Sequence, residues 1–250
     1  MNNYSSSFIS ALQEENLDEI KKIPKSDKHC HAMLSCPLQC YFDWLKEPAP
    51  HLPPMFTSFE EFEKCISSIF SGERLNRTSF LFILENALKN FIDQGVTKLE
   101  MSLDCRLLYL FGNNIHDYIS VLTATTRKFA PRIQFLPEIG LARDINPLQA
   151  EKLVLACIES NVFKSLDLYG SETARPPETY LKIVKTARKR GLKIKIHLGE
   201  YGDPQFMNHC INVLEMDEIQ HGIRAVESRQ TMEMIKNRKI KLNICPTSNI

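Results

Sequence analysis

The chain has no excess of charge of either sign. Its 31 lysines and arginines stand against 30 aspartates and glutamates, for a formal net charge of +1 over 250 residues. That removes the electrostatic basis for binding nucleic acid or an anionic membrane surface. No apolar run is long enough to span a bilayer. The opening residues Met1-Asn-Asn-Tyr-Ser-Ser-Ser lack the basic region and apolar stretch of a secretory leader. Eight cysteines are present, at positions 30, 36, 40, 65, 105, 157, 210 and 245, but no Cys-x-x-Cys pair occurs among them. Several sit in apolar segments, where cysteine behaves as a small hydrophobe. These absences predict a soluble, reduced, cytosolic protein that uses neither nucleic acid nor membrane as a partner. A Gly-rich phosphate loop after an early strand is also missing, which counts against an open dinucleotide-binding sheet.

What is present is an alternation of short apolar strands with helices. Strands are predicted at 25–31, 96–103, 132–139, 163–168, 193–197, up to His221, and 240–245. Helical spacing marks Phe80 to Phe91, Tyr118 to Thr125, Ala150 to Ile158, Tyr180 to Ala187, Met207 to Leu214, and the stretch with Met232 and Ile235. Asn146-Pro147 supplies a cap followed by proline at the first helical position. Ser58-Phe-Glu-Glu61 reads as a capping box. A first helix is expected from about Phe8 to Lys22. Pro48, Pro50, Pro53 and Pro54 argue against any regular element from Cys36 to about Pro54. Strand–helix alternation of this kind argues for a parallel α/β architecture, with an open doubly wound sheet as the rival. Seven strands at this length fit a (β/α)₈ TIM-type barrel with its eighth strand missing from the chain. The expected organisation is one domain over 1–250, incomplete at its C-terminal end, with a lid-like insertion at 36–78 after the first strand.

The unusual polar residues sit where the strands end. His29 and His31 are two apart on the first strand, so they share a face and Cys30 points the other way. Asp167, His197 with Glu200, and His221 end the fourth, fifth and sixth strands. In a barrel these ends converge on the face that carries active sites. Imidazoles at 29, 31 and 197 make a credible ligand set for zinc or another first-row metal. Glu200 just beyond His197 is placed as a general acid/base. His221 is placed to orient a water and stabilise negative charge. Asp167 reads equally well as a cap or a polar barrel residue.

Five ordered segments then carry a resemblance: Pro24-Lys-Ser-Asp-Lys-His29-Cys-His31, Asp167-Leu-Tyr-Gly170-Ser-Glu172, His197-Leu-Gly-Glu200, His221-Gly-Ile-Arg-Ala and Cys245-Pro-Thr-Ser-Asn249. From about residue 24 to its end the chain resembles the adenosine deaminase family, metal-dependent barrels that replace a purine 6-amino group with oxygen and release ammonia. The resemblance implies one zinc ion on His29, His31 and His197, and a Glu200 carboxyl that protonates the purine ring nitrogen N1. It also implies that His221 lies beside the zinc-bound water and that the Gly170 backbone N–H reaches purine N3. It implies a small-molecule purine nucleoside as the partner.

Two departures from the family pattern stand out. The family's eighth-strand aspartates, one a zinc ligand and one on purine N7, have no counterpart before Ile250. Where adenosine-specific members continue Leu-Asp-Gly after the second histidine, this chain has Ala32-Met33-Leu34. A thioether cannot accept the ribose hydroxyl bond an aspartate accepts, which favours a 5′-modified adenosine or another 6-aminopurine. Two alternatives stand beside the deaminase reading. One is a different metal-dependent hydrolase on the same barrel; the other is a truncated or non-catalytic nucleoside-binding relative.

Overall fold

The computed structural model describes residues 4–246. In chain order the elements are α1 (Tyr4–Gln13), α2 (Leu17–Lys22), β1 (Lys25–His31), α3 (Leu38–Leu45), α4 (Phe59–Ile69), α5 (Arg77–Asp93), β2 (Val96–Asp104), α6 (Ile115–Phe129), β3 (Gln134–Ala142), α7 (Pro147–Glu159), β4 (Ser165–Tyr169), α8 (Leu181–Lys189), β5 (Lys193–Leu198), α9 (Pro204–Val213), β6 (Glu218–His221), α10 (Arg229–Asn237) and β7 (Lys241–Asn243). The seven strands hydrogen-bond in chain order, β1 through β7. Pairs from β3 to β7 are parallel. Strands in sequence order with a helix in each connection follow the (β/α)₈ plan through its seventh strand. None of the described helices is long and apolar enough to cross a membrane.

The chain divides into two compact units, residues 1–101 with 121–135, and residues 102–120 with 136–250. The first unit holds β1 and the helices around it. Its core joins Cys36, Tyr41, Phe42, Ile69 and Ile83. Trp44 stacks on Phe82 with ring centroids 4.8 Å apart, and the Tyr41 hydroxyl donates to the Arg74 carbonyl at 2.6 Å. A cavity of about 380 Å³ opens here, lined by Met33, Leu34, Cys36, Leu38, Ile66 and Phe70 among others. The expectation of no regular element from 36 to 54 is corrected by α3. The prolines all fall after it, and Pro37 occupies the N-cap, where its missing N–H costs nothing. The single helix expected over 8–22 is two, because Asn16 caps a fresh start by accepting from the Glu19 N–H. At α4, Ser58 caps as expected, but the Glu61 carboxylate returns to the Thr57 N–H and hydroxyl rather than to Ser58.

The second unit carries β4 to β7 and the outer part of β3. The expected strand boundaries either hold, as at Lys193 and His221, or move by up to three residues; β3 continues to Ala142 and β7 stops at Asn243, short of Cys245. Pro177 opens a 3₁₀ turn that leads into α8. In this unit the interior is polar. Lys195, fully buried, lies 2.5 Å from Glu138 Oε1 and 4.0 Å from Glu218 Oε2. Ser165 donates to Glu138 Oε1, and Asn243 Nδ2 donates to Glu218 and Gln220. Burial pushes the Glu138 carboxyl up, against the pull of Lys195. Thr247, Ser248 and Asn249 of the last sequence segment lie outside the described residues.

Candidate active site

In the first unit, β1 presents His29 and His31 on one face. Their ring centroids are 5.9 Å apart and their planes cross at 69°. The Cys30 thiol leans the other way and donates to the Glu100 carbonyl at 3.7 Å, so the alternation predicted from sequence holds. The side chain of Asp27 accepts from the His29 backbone N–H at 3.0 Å.

In the second unit, the ends of β3, β4, β5 and β6 assemble the remaining candidates. Parallel register pairs Asp167 with Lys195, two residues before His197 and on the same face of β5. Asp167 Oδ1 lies 3.3 Å from His197 Nε2, with both side chains buried. The His197 and His221 rings are 5.2 Å apart, with ring nitrogens within 4.8 Å of one another. His221 Nε2 is 3.3 Å from Glu200 Oε2. The Glu200 carboxyl is pushed up to about 7, chiefly by burial; a hydrogen bond with Tyr201 opposes the shift and the charge of Glu172 adds to it. A carboxyl of that kind is partly protonated at neutral pH, the state a general acid needs.

Backbone geometry aims these groups. His221 itself has φ +71°, a left-handed conformation rare for a side-chain-bearing residue. The turn just after it is fixed to β5, since the Gly222 N–H donates to the Leu198 carbonyl at 3.0 Å. Gly170 turns the chain after β4 at φ +88°, which only glycine adopts without strain. Sequence reasoning gave no role to three neighbours. Arg143, buried at the end of β3, donates to the carbonyls of Gly170 and His197 and so ties the ends of β4 and β5 together. Glu172 accepts the backbone N–H groups of Gly199, Glu200 and Tyr201. Asp104 accepts from the Tyr169 hydroxyl at 2.5 Å and from the Arg106 guanidinium. Arg143 and Asp104 do stand at strand C-terminal ends, and that position was the only signal available. Their partners, backbone groups and a tyrosine distant in sequence, leave no spacing to read.

In this unit His197 has the Asp167 carboxylate on one side and the His221 ring on the other, and imidazole and carboxylate are donor types that suit zinc or another first-row divalent ion. Strand-end imidazoles and a raised carboxyl on a parallel-strand scaffold are the groups that a metal-assisted hydrolysis uses.

Comparison with known proteins narrows that class. The adenosine deaminase family profile matches residues 59–250, and the chain belongs to that family. It is 26% identical over 236 residues to a provisionally named adenosine/adenine deaminase of Treponema pallidum (strain Nichols), an alignment covering 94% of this chain and 79% of the relative. Among solved structures, the N6-methyl-AMP deaminase of Arabidopsis thaliana aligns with TM-score 0.76 at 17% identity, over 94% of this chain and 74% of that one. An amidohydrolase of Burkholderia ambifaria with bound zinc aligns with TM-score 0.75 at 19% identity, over 92% and 67%. The fold expected from sequence is thereby borne out.

Proposed function

We propose that this chain deaminates a 6-aminopurine nucleoside by hydrolysis, giving the 6-oxo product and ammonia. The observation that carries the reading is a Glu200 carboxyl held near 7 and set 3.3 Å from His221. Glu200 donates a proton to the purine ring nitrogen, so that the ring accepts electrons as water adds at C6. His221 takes a proton from that water, stabilises the charge that develops on oxygen and passes the proton to the amino group; the C6–N bond then breaks, ammonia leaves, and the remaining hydroxyl proton returns to the Glu200 carboxylate. The Gly170 N–H donates to purine N3 and sets the base in the site. His29, His31 and His197 would hold one zinc ion, and Asp167 would orient His197. When bound, the ion supplies Lewis-acid activation of the attacking water.

Family membership and the purine deaminase relatives support the reaction class; a zinc-bound amidohydrolase neighbour supports the metal. We take residues 1–250 as one functional domain, in which 36–78 forms a lid-like insertion, and we take its place in the cell to be the cytoplasm. Met33 stands where adenosine-specific members of the family carry an aspartate, and its thioether cannot accept a hydroxyl's hydrogen bond, which favours an adenosine with an uncharged, apolar 5′ group over one with a free hydroxyl. The test is ammonia release from adenosine, adenine, adenosine monophosphate and 5′-methylthioadenosine by the zinc-loaded chain. Release from the methylthio compound in preference to adenosine is expected. Release from none would overturn the assignment.

A further inference from the structure

We propose that Glu172 is a positioning residue for Glu200, an inference that rests on the deaminase reading for its kinetic part only. Three successive backbone N–H groups, of Gly199, Glu200 and Tyr201, donate to its two carboxylate oxygens at 2.7, 2.8 and 2.7 Å. The turn they form is the one that carries Glu200 away from β5. Gly199 is buried and Glu200 half-buried, so without this carboxylate the turn would leave a buried N–H without its acceptor and the next held only by solvent. A carboxylate bridging consecutive amides fixes the direction of that turn far more tightly than one bond would.

A second observation shows that the turn is shaped to this carboxylate. Gly202 lies against it so closely that a Cβ there would meet Glu172 Oε2 at 2.5 Å. Glu172 is buried, and the nearby Arg143 guanidinium is its opposing charge. Arg143 in turn binds the His197 and Gly170 carbonyls. Glu172 and Arg143 therefore form one buried scaffold that registers the turn bearing Glu200 against the strand end bearing His197. Neither needs to touch the substrate.

The experiment compares Glu172→Ala, Glu172→Gln and Gly202→Ala with the parent chain, each zinc-loaded. It reads amide hydrogen exchange across 193–205, bound-metal stoichiometry and, on the best substrate, kcat and KM separately. Glu172→Ala should speed exchange at Gly199, Glu200 and Tyr201 by at least about tenfold while β5 stays protected. Its kcat should fall by about a hundredfold, with KM and metal content little changed, because a displaced general acid costs rate rather than affinity. Glu172→Gln keeps an acceptor for the Glu200 and Tyr201 amides and should recover much of that loss. Gly202→Ala should displace the carboxylate and reproduce the alanine phenotype in weaker form, which keeps the test open if Glu172→Ala does not fold. Unchanged exchange at 199–201, or equal losses of metal, KM and kcat, would overturn the proposal. If the parent deaminates none of the purines, the deaminase reading falls and exchange alone decides. Loosening confined to the turn then sustains the positioning role, and its absence ends it.

Discussion

Glu200 carries two pH consequences that can be separated. In its proposed role as general acid it must be protonated, so kcat should fall as pH rises through about 7. Glu200→Gln should lose about a hundredfold or more in kcat and should flatten that limb of the profile. A profile unchanged by the substitution would assign the acid elsewhere. The same shift links to stability. The folded-state pKa is raised above the unfolded value, so the folded chain holds the proton longer, and stability is lost as pH rises from about 4.5 through about 7. Thermal melts at pH 5 and pH 8 should show this loss in the parent and less of it in Glu200→Gln. At this scale what the sequence made legible was position at the strand ends, the roles of these residues being proposals. His29, His31, His197, Glu200 and His221 could be picked out because each is a reactive type at a strand end. Glu172 and Arg143 were opaque because they act on backbone groups, and no residue pattern encodes which carbonyl or amide a side chain will reach.

The elements show how firmly the site is mounted. Gly95, between α5 and β2, has φ +78°, and a Cβ there would meet the Lys21 carbonyl oxygen at 1.9 Å. Gly95→Ala should destabilise the chain by more than about 1 kcal/mol, since both the left-handed backbone and the close approach are lost; an unchanged denaturation midpoint would contradict the packing described. Across the parallel strands, Lys195 and Glu138 pair fully buried. Removing one partner leaves a stranded polar or charged group, so Lys195→Met should cost about 3–5 kcal/mol in urea melts. The double change Lys195→Met with Glu138→Leu should recover a large part of that. Strand order and most helices were readable from periodicity, because apolar faces repeat along them. Helix α3 was hidden by the prolines that follow it. Asn16 split the first helix because a cap residue inside a helical pattern is also a good interior-breaking residue.

At the scale of the whole molecule, the chain follows the strand order of a (β/α)₈ barrel through seven strands and belongs to the adenosine deaminase family. Its scaffold predicts that metal and stability are linked. A metal held only by the folded state raises the melting temperature by mass action, so a chelator should lower it and added zinc should restore it. His197→Ala should be insensitive to both treatments, and equal sensitivity in the two proteins would place the metal elsewhere.

The deamination assay on the whole zinc-loaded chain bears on the central claim most directly. Ammonia should be released from a 6-aminopurine nucleoside with one equivalent of 6-oxo product formed, and Glu200→Gln should slow the release by about a hundredfold or more while leaving zinc bound. A zinc-loaded, folded chain that releases no ammonia from adenosine, adenine, adenosine monophosphate or 5′-methylthioadenosine would contradict the account.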